Sequence, residues 1–184
     1  MSIPTLLRVA EHAVLKEIVL QGSVLDLGGD VRAKYRDFIG GIHTFTTVNL
    51  DESARPDIFH DLEKPLPLED ASYDHALLMN VLEHVFEHRQ LLFEAVRVIK
   101  PGGSVTIVVP FLFPLHPSPH DYWRFTNETL RKECEHVGLH VQRLTPLGSG
   151  VFGARFVMLD RLLPLPLRAV LFIFRPFIWA GDFL

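Results

Sequence analysis

Val24-Leu25-Asp26-Leu27-Gly28-Gly29-Asp30 is a short apolar run that meets an acidic residue and breaks at once into paired glycines. Val24–Leu27 reads as a strand buried on both faces, as in a parallel sheet. Gly28 and Gly29 lack the β-carbons that would hold a nucleotide away from the backbone. Asp26, at the strand's end, is expected to give the pocket a negative lip. The stretch predicts a nucleoside-containing ligand at the edge of an α/β sheet.

The chain on either side supports such a sheet. Residues 4–21 carry Leu6, Leu7, Ala10, Val14, Ile18 and Leu20 at helical spacing, and Gly22 is expected to stop that helix. A short helix is predicted from Arg32 to Ile39, ending at Gly40-Gly41. Residues 43–50 are rich in β-formers and read as a second strand, with a short third at 57–62. Tyr73–Asn80 reads as the next strand. His88–Lys100 reads as a helix ended by Pro101-Gly102-Gly103, and 104–109 as a β-branched strand. A helix over 127–137, a cap at Gly138 and a last strand over 139–144 complete the pattern. Strands alternating with helices imply a doubly wound, mostly parallel α/β sheet.

Composition narrows the function. The 184 residues suit one domain, expected over 1–150, with 151–184 as an apolar C-terminal extension. A net charge of −4 argues against a general nucleic-acid binder, which carries a basic stripe. The single cysteine, Cys134, excludes an internal disulfide and fits a reducing compartment. Glu11, His12, Lys16 and Glu17 interrupt any apolar leader, so the expected location is the cytoplasm. From Leu162 onward the only charges are Arg168, Arg175 and Asp182, and Pro164, Pro166 and Pro176 break the run. That tail is too interrupted to span a bilayer, and suits core packing, a homodimer face or peripheral membrane contact.

In an open α/β sheet, ligands bind beyond the carboxyl ends of the strands, near the switch in strand order. Asn49 and Asp51, about 20 residues past the glycines, both suit the ribose hydroxyls there. Asn80, Glu83 and His84 follow the fourth strand, Asn80 expected beside the cofactor and Glu83 and His84 expected on solvated surface or in the acceptor site. His84 and His88 have the i,i+4 spacing of a metal pair, but no third ligand is signalled and no metal is expected. His116-Pro117-Ser118-Pro119-His120-Asp121-Tyr122-Trp123-Arg124-Phe125-Thr126 follows the last central strand and can lie over the open end of the sheet. Tyr122 and Trp123 offer stacking faces, and Arg124 could grip a carboxylate or phosphate. His120 or His116 could take a proton, with Asp121 orienting the imidazole.

The order VLDLGGD, VNLDES, DLEKPLPLEDASYDHALLMNVLEHV and LLFEAVRVIKPGGSVTIVVP resembles the class I S-adenosylmethionine-dependent methyltransferases, in the branch called type 11. The resemblance covers about residues 24–140. It implies a Rossmann-like methyltransferase fold, S-adenosylmethionine as cofactor and methyl transfer to a small or glycan-like acceptor. It assigns residues 26–30, with Gly28, Gly29 and Asp30, to the cofactor loop, and the strand-two residue to the ribose. Asp61 and Leu62 correspond to the adenine clamp. The stretch from His120 to Thr126 is similar to one in a subset of type 11 enzymes.

Asp30 stands where the family usually has glycine, Arg32 fills another frequent glycine position, and no obvious seventh strand follows Leu144. Those departures suit an alternative, an inactive methyltransferase-like binding or scaffold protein. A nicotinamide-dependent oxidoreductase is less favoured, because Gly-x-Gly-x-x-Gly is absent.

Overall fold

The computed structural model describes residues 6–30 and 33–147, together with Arg155 and Leu167. The apolar tail expected over 151–184, with its membrane or dimer role, and Arg32 lie outside the described residues, apart from those two positions.

The elements run α1 (Leu6–Leu15), β1 (Val19–Leu27), β2 (Gly40–Asn49), β3 (Ile58–Phe59), β4 (Tyr73–Met79), α2 (His88–Val98), β5 (Ile99–Val108) and α3 (Asn127–His136). Short 3-10 turns at Lys34–Phe38, Glu52–Ala54 and Leu82–His84 sit between them. The five strands form one sheet in the order β3-β2-β1-β4-β5, and every pairing is parallel. Strand order reverses between β1 and β4, so the crevice in which such sheets bind ligands opens at their carboxyl ends.

Both faces of the central strands are buried, as the apolar runs predict. Leu25, Leu27, Ala76 and Leu78 point to one side and meet Leu91, Leu92, Ala95 and Val98 of α2. Val24, Leu77 and Met79 point to the other and meet Leu15, Tyr35 and Ile39. The alternation follows from the two-residue period of a strand.

Several boundaries differ from the sequence expectation. The first helix stops at Leu15, and Ile18–Leu20, read at helical spacing, turn into the first strand. Val19 and Leu20 pair with Gly40 and Gly41, and Gly22 lies inside β1 opposite His43. A ladder partner outweighs a short amphipathic pattern here. The helix expected from Arg32 is a 3-10 turn, and Gly40-Gly41 belong to β2 rather than to a helix end. The third strand keeps only Ile58–Phe59.

Pro101-Gly102-Gly103 lies within β5, where the β4–β5 register shifts between Tyr73 and His75. The last strand expected over 139–144 does not form; β5 pairs only with β4 among the described residues. α3 does end as predicted: Gly138 N donates to Glu135 O at 3.1 Å and Leu139 N to Cys134 O at 3.0 Å, the αL termination that glycine permits.

Candidate functional site

The turn after β1 is built by side chains from three elements. Gly28 has φ +80, and a β-carbon there would lie 2.5 Å from Val81 Cγ2. At Gly29 a β-carbon would meet the Asp26 carboxylate at 2.5 Å and Arg36 Nη2 at 2.9 Å. The glycines therefore make room for the protein's own packing, in addition to any ligand. Asn49, at the end of β2, donates through Nδ2 to the carbonyls of Gly28 and Gly29, both at 3.0 Å. It thus clasps the turn from the neighbouring strand.

The negative lip expected of Asp26 is absent. Asp26 is fully buried, and its carboxylate accepts from Tyr35 Oη at 2.6 Å and Arg36 Nε at 2.8 Å. Burial raises its pKa, and the bonds from Tyr35 and Arg36 oppose that rise. Its influence on a ligand would pass through the turn it supports.

Asn49 and Asp51, left open by the sequence, have different settings. Asn49 is engaged on both amide atoms, because its Oδ1 accepts from Asp51 N at 2.9 Å. Asp51 is exposed and caps the 3-10 turn at Glu52–Ala54, accepting from Ser53 N and Oγ at 2.8 Å each. Asp30 O accepts from Ala33 N at 2.8 Å. Asp61 is half-buried and accepts from Glu63 N at 3.0 Å, whereas Leu62 is 7% exposed and packed in the core. Asn80 ends β4 at φ +54 and hydrogen-bonds Glu11, which α1 lays over that strand end.

Beyond β4 lies a cluster that the sequence scattered over three places. Glu83 is fully buried, and neither carboxylate oxygen has a hydrogen-bond partner among the described residues. The solvated surface expected as one alternative for Glu83 and His84 does not hold at Glu83, which is sealed from solvent. Burial, with the nearby charges of Asp121 and Glu11, pushes its carboxyl up to about 7, against the pull of Arg124. Its Oε1 lies 3.6 Å from His84 Nε2 and 3.7 Å from His116 Nε2.

The segment from His116 to Phe125 does cross this end of the sheet. Tyr122 N and Trp123 N donate to Glu83 O at 2.7 and 3.2 Å. Asp121 accepts from His116 N at 2.8 Å and pairs with Arg124, whose other donors reach the carbonyls of Trp123, Phe113 and Pro114. The guanidinium offered by the sequence to an anionic acceptor is therefore spent on bracing its own segment. Asp121 orients His116 rather than His120, whose ring is exposed beside Tyr122 at 5.2 Å between centroids.

Trp123 is partly buried against Phe86, His88 and Phe125. Its ring and theirs line a cavity of about 340 Å³ with Arg89 and Glu133. His88 faces Glu133, so the i,i+4 pair with His84 does not form. The burial of Glu83 and its convergence with His116 were missed because a contact across more than thirty positions leaves no local pattern.

Residues 45–107 match the family described as Methyltransferase domain. A probable S-adenosylmethionine-dependent methyltransferase of Mycolicibacterium smegmatis is 31% identical over 106 residues, which are 56% of this chain and 41% of that protein. The chain thus spans less than half the length of that relative.

Among solved structures, a SAM dependent methyltransferase from Aquifex aeolicus superimposes with a TM-score of 0.59 at 18% identity, over 74% of this chain and 83% of that one. The structure titled as a complex between the Haloferax volcanii Trm112 methyltransferase activator and the putative methyltransferase gives 0.56 at 21% identity, over 85% and 83%. The [4+2]-cyclase SpnF gives 0.62 at 19% identity, over 79% and 62%. These three likenesses establish the fold.

Proposed function

We propose that the chain is a class I S-adenosylmethionine-dependent methyltransferase of the type 11 branch, which it resembles over residues 45–107, and that it binds S-adenosylmethionine and methylates a small or glycan-like acceptor. The observation that carries the reading is the Asn49 clasp on the Gly28-Gly29 turn, at the crevice between β1 and β4. The donor set there fits the cofactor. Asp51 is an exposed carboxylate able to accept from a ribose diol, and half-buried Asp61 is assigned in this reading to the exocyclic amine of adenine. Asn80 and Asp30 flank the same opening.

When bound, the cofactor supplies a methyl group on a sulfonium that is its own leaving group. The chain's part is mainly to position reactants, which can be worth about 7–11 kcal/mol. In this reading exposed Tyr122 offers an aromatic face to the acceptor, and half-buried His84 and Trp123 are assigned to the same acceptor. His120, exposed on the same segment, is the imidazole available to take a proton from a hydroxyl or ammonium. His116, Asp121 and Arg124 hold that segment over the sheet.

Calorimetry with S-adenosylhomocysteine, joined to a transfer assay with methyl-labelled cofactor over sugar and small-hydroxyl acceptors, tests the reading. Saturable binding and transfer are expected. Binding of neither S-adenosylhomocysteine nor the labelled cofactor would overturn it. Binding with no transfer would select instead the inactive methyltransferase-like alternative. Replacing His120 by Ala should lower kcat roughly 100-fold while leaving S-adenosylhomocysteine affinity unchanged.

Residues 1–150 form the catalytic unit in this reading, and the extension over 151–184 is assigned to self-association or a membrane surface. No helix among the described residues is long and apolar enough to cross a membrane.

A further inference from the structure

We propose that Glu83, His84 and His116 form a binding site for a divalent transition-metal ion of the zinc class. Their ligating atoms all lie within 4.8 Å of one another. Glu83 Oε1 is 3.6 Å from His84 Nε2 and 3.7 Å from His116 Nε2. Around a tetrahedral ion with bonds of about 2.0–2.2 Å, ligand atoms stand about 3.4 Å apart, so small side-chain shifts close the site.

The hydrogen bonds around the cluster settle which nitrogen of each ring faces inward. His84 Nδ1 meets the carbonyl of His120, which can only accept, so Nδ1 carries the proton. His116 Nδ1 lies 3.1 Å from Pro114 O and 3.4 Å from Asp121 Oδ2, two further acceptors. In the neutral rings both Nε2 atoms therefore turn a lone pair toward Glu83. That is the support found behind metal-bound histidines, where the second ring nitrogen donates to a carbonyl or carboxylate. The ring centroids lie 4.9 Å apart at 77°, which lets the two planes aim at one point without stacking.

Glu83 adds an independent sign. It is a fully buried carboxylate aimed at the two nitrogens, and neither oxygen accepts a hydrogen bond from the described residues. Burying such a group without a partner is costly. A proton is the competing occupant, but it can join Glu83 to only one imidazole and leaves the other lone pair facing an oxygen. A dication satisfies all three ligands at once. Two nitrogen donors favour zinc-like ions over magnesium or calcium, which prefer oxygen. Three protein ligands leave a fourth position for water or a ligand oxygen.

The site stands whether or not the chain transfers methyl groups, and its test is separate. The full-length protein is stripped with a chelator and titrated with Co2+, followed by its visible d–d absorption, and with Zn2+ by calorimetry. One equivalent of each is expected, Zn2+ displacing Co2+, with the strong bands of a four-coordinate site. Asp121→Asn should weaken Co2+ binding roughly 10–100-fold, and Glu83→Gln and His116→Ala should weaken it further.

Absence of stoichiometric Co2+ and Zn2+ binding by the wild-type chain overturns the proposal. So does undiminished binding in a folded His84→Ala/His116→Ala double variant. Should the variants fail to fold, X-ray absorption on the Zn2+-loaded wild type decides. Two imidazoles with oxygen support the site; sulfur or oxygen alone overturns it. S-adenosylhomocysteine titrated into the same stripped samples keeps the two readings apart. Its failure to bind beside normal Co2+ uptake counts against methyl transfer only.

Discussion

Asn49 and Asp51 sit two positions apart and do different work. The amide of Asn49 is committed to the Gly28 and Gly29 carbonyls, so its loss loosens the turn itself. Asp51 caps its own 3-10 turn through Ser53 and faces solvent. Asn49→Ala is therefore expected to lower both stability, by about 1–3 kcal/mol for bonds lost at a partly buried site and read from urea denaturation, and S-adenosylhomocysteine affinity. Asp51→Ala should cost less stability, that of one exposed cap, while lowering affinity. Equal loss of stability in both variants would show that Asp51 is also structural. Gly28→Ala is a harsher change, because φ +80 is strained for alanine and its β-carbon would press on Val81. It should cost at least about 1 kcal/mol of stability, read by urea denaturation, before any effect on ligand.

The elements show where local sequence suffices and where it does not. β4 and α2 were legible because each carries its own period: Ala76–Met79 as a continuous apolar run, and Leu91, Leu92 and Ala95 as a stripe. The start of β1 was hidden, since Val19-Leu20 is extended only because Gly40-Gly41 lies beside it. At the site, the glycine turn and the strand ends could be read from order alone. Glu83 could not, for its burial depends on α1 and on the His116–Phe125 segment arriving from elsewhere.

α2 has one anchor that is checkable by pH. Glu94 accepts from Leu66 N at 2.6 Å and pairs with Arg97, which also reaches the carbonyls of Leu66 and Leu68. The Arg97 bonds, then the Leu66 amide, hold the Glu94 carboxyl below its ordinary value. A depressed carboxyl stabilises the fold above its unfolded pKa and loses that contribution as pH falls through the folded one. The stability gap between wild type and Glu94→Gln should therefore be full near neutrality and shrink below about pH 4. A gap that stays constant in urea melts from neutral to acid pH would remove Glu94 from that role.

At the scale of the whole molecule, the sheet is the framework and its carboxyl edge is the working surface. Leu78 and Leu91 meet in the core directly behind that edge, both almost wholly buried. Leu91→Ala should cost about 2–5 kcal/mol, seen in the urea midpoint, because α2 cannot settle onto the strands without leaving a cavity. The same framework makes ligand binding visible as stability. A molecule that binds the folded chain alone adds RT ln(1 + [L]/Kd), or about 2.7 kcal/mol at a hundredfold excess over Kd. S-adenosylhomocysteine should therefore raise the melting temperature in a saturable way, and NADH should leave it unchanged, since the turn after β1 lacks the dinucleotide spacing. Asn49→Ala should flatten the S-adenosylhomocysteine response, whereas Glu83→Gln, on the far side of Asn80, should preserve it. A shift from NADH, or an S-adenosylhomocysteine response lost with Glu83 and retained without the Asn49 amide, would move the ligand site away from the Gly28-Gly29 turn.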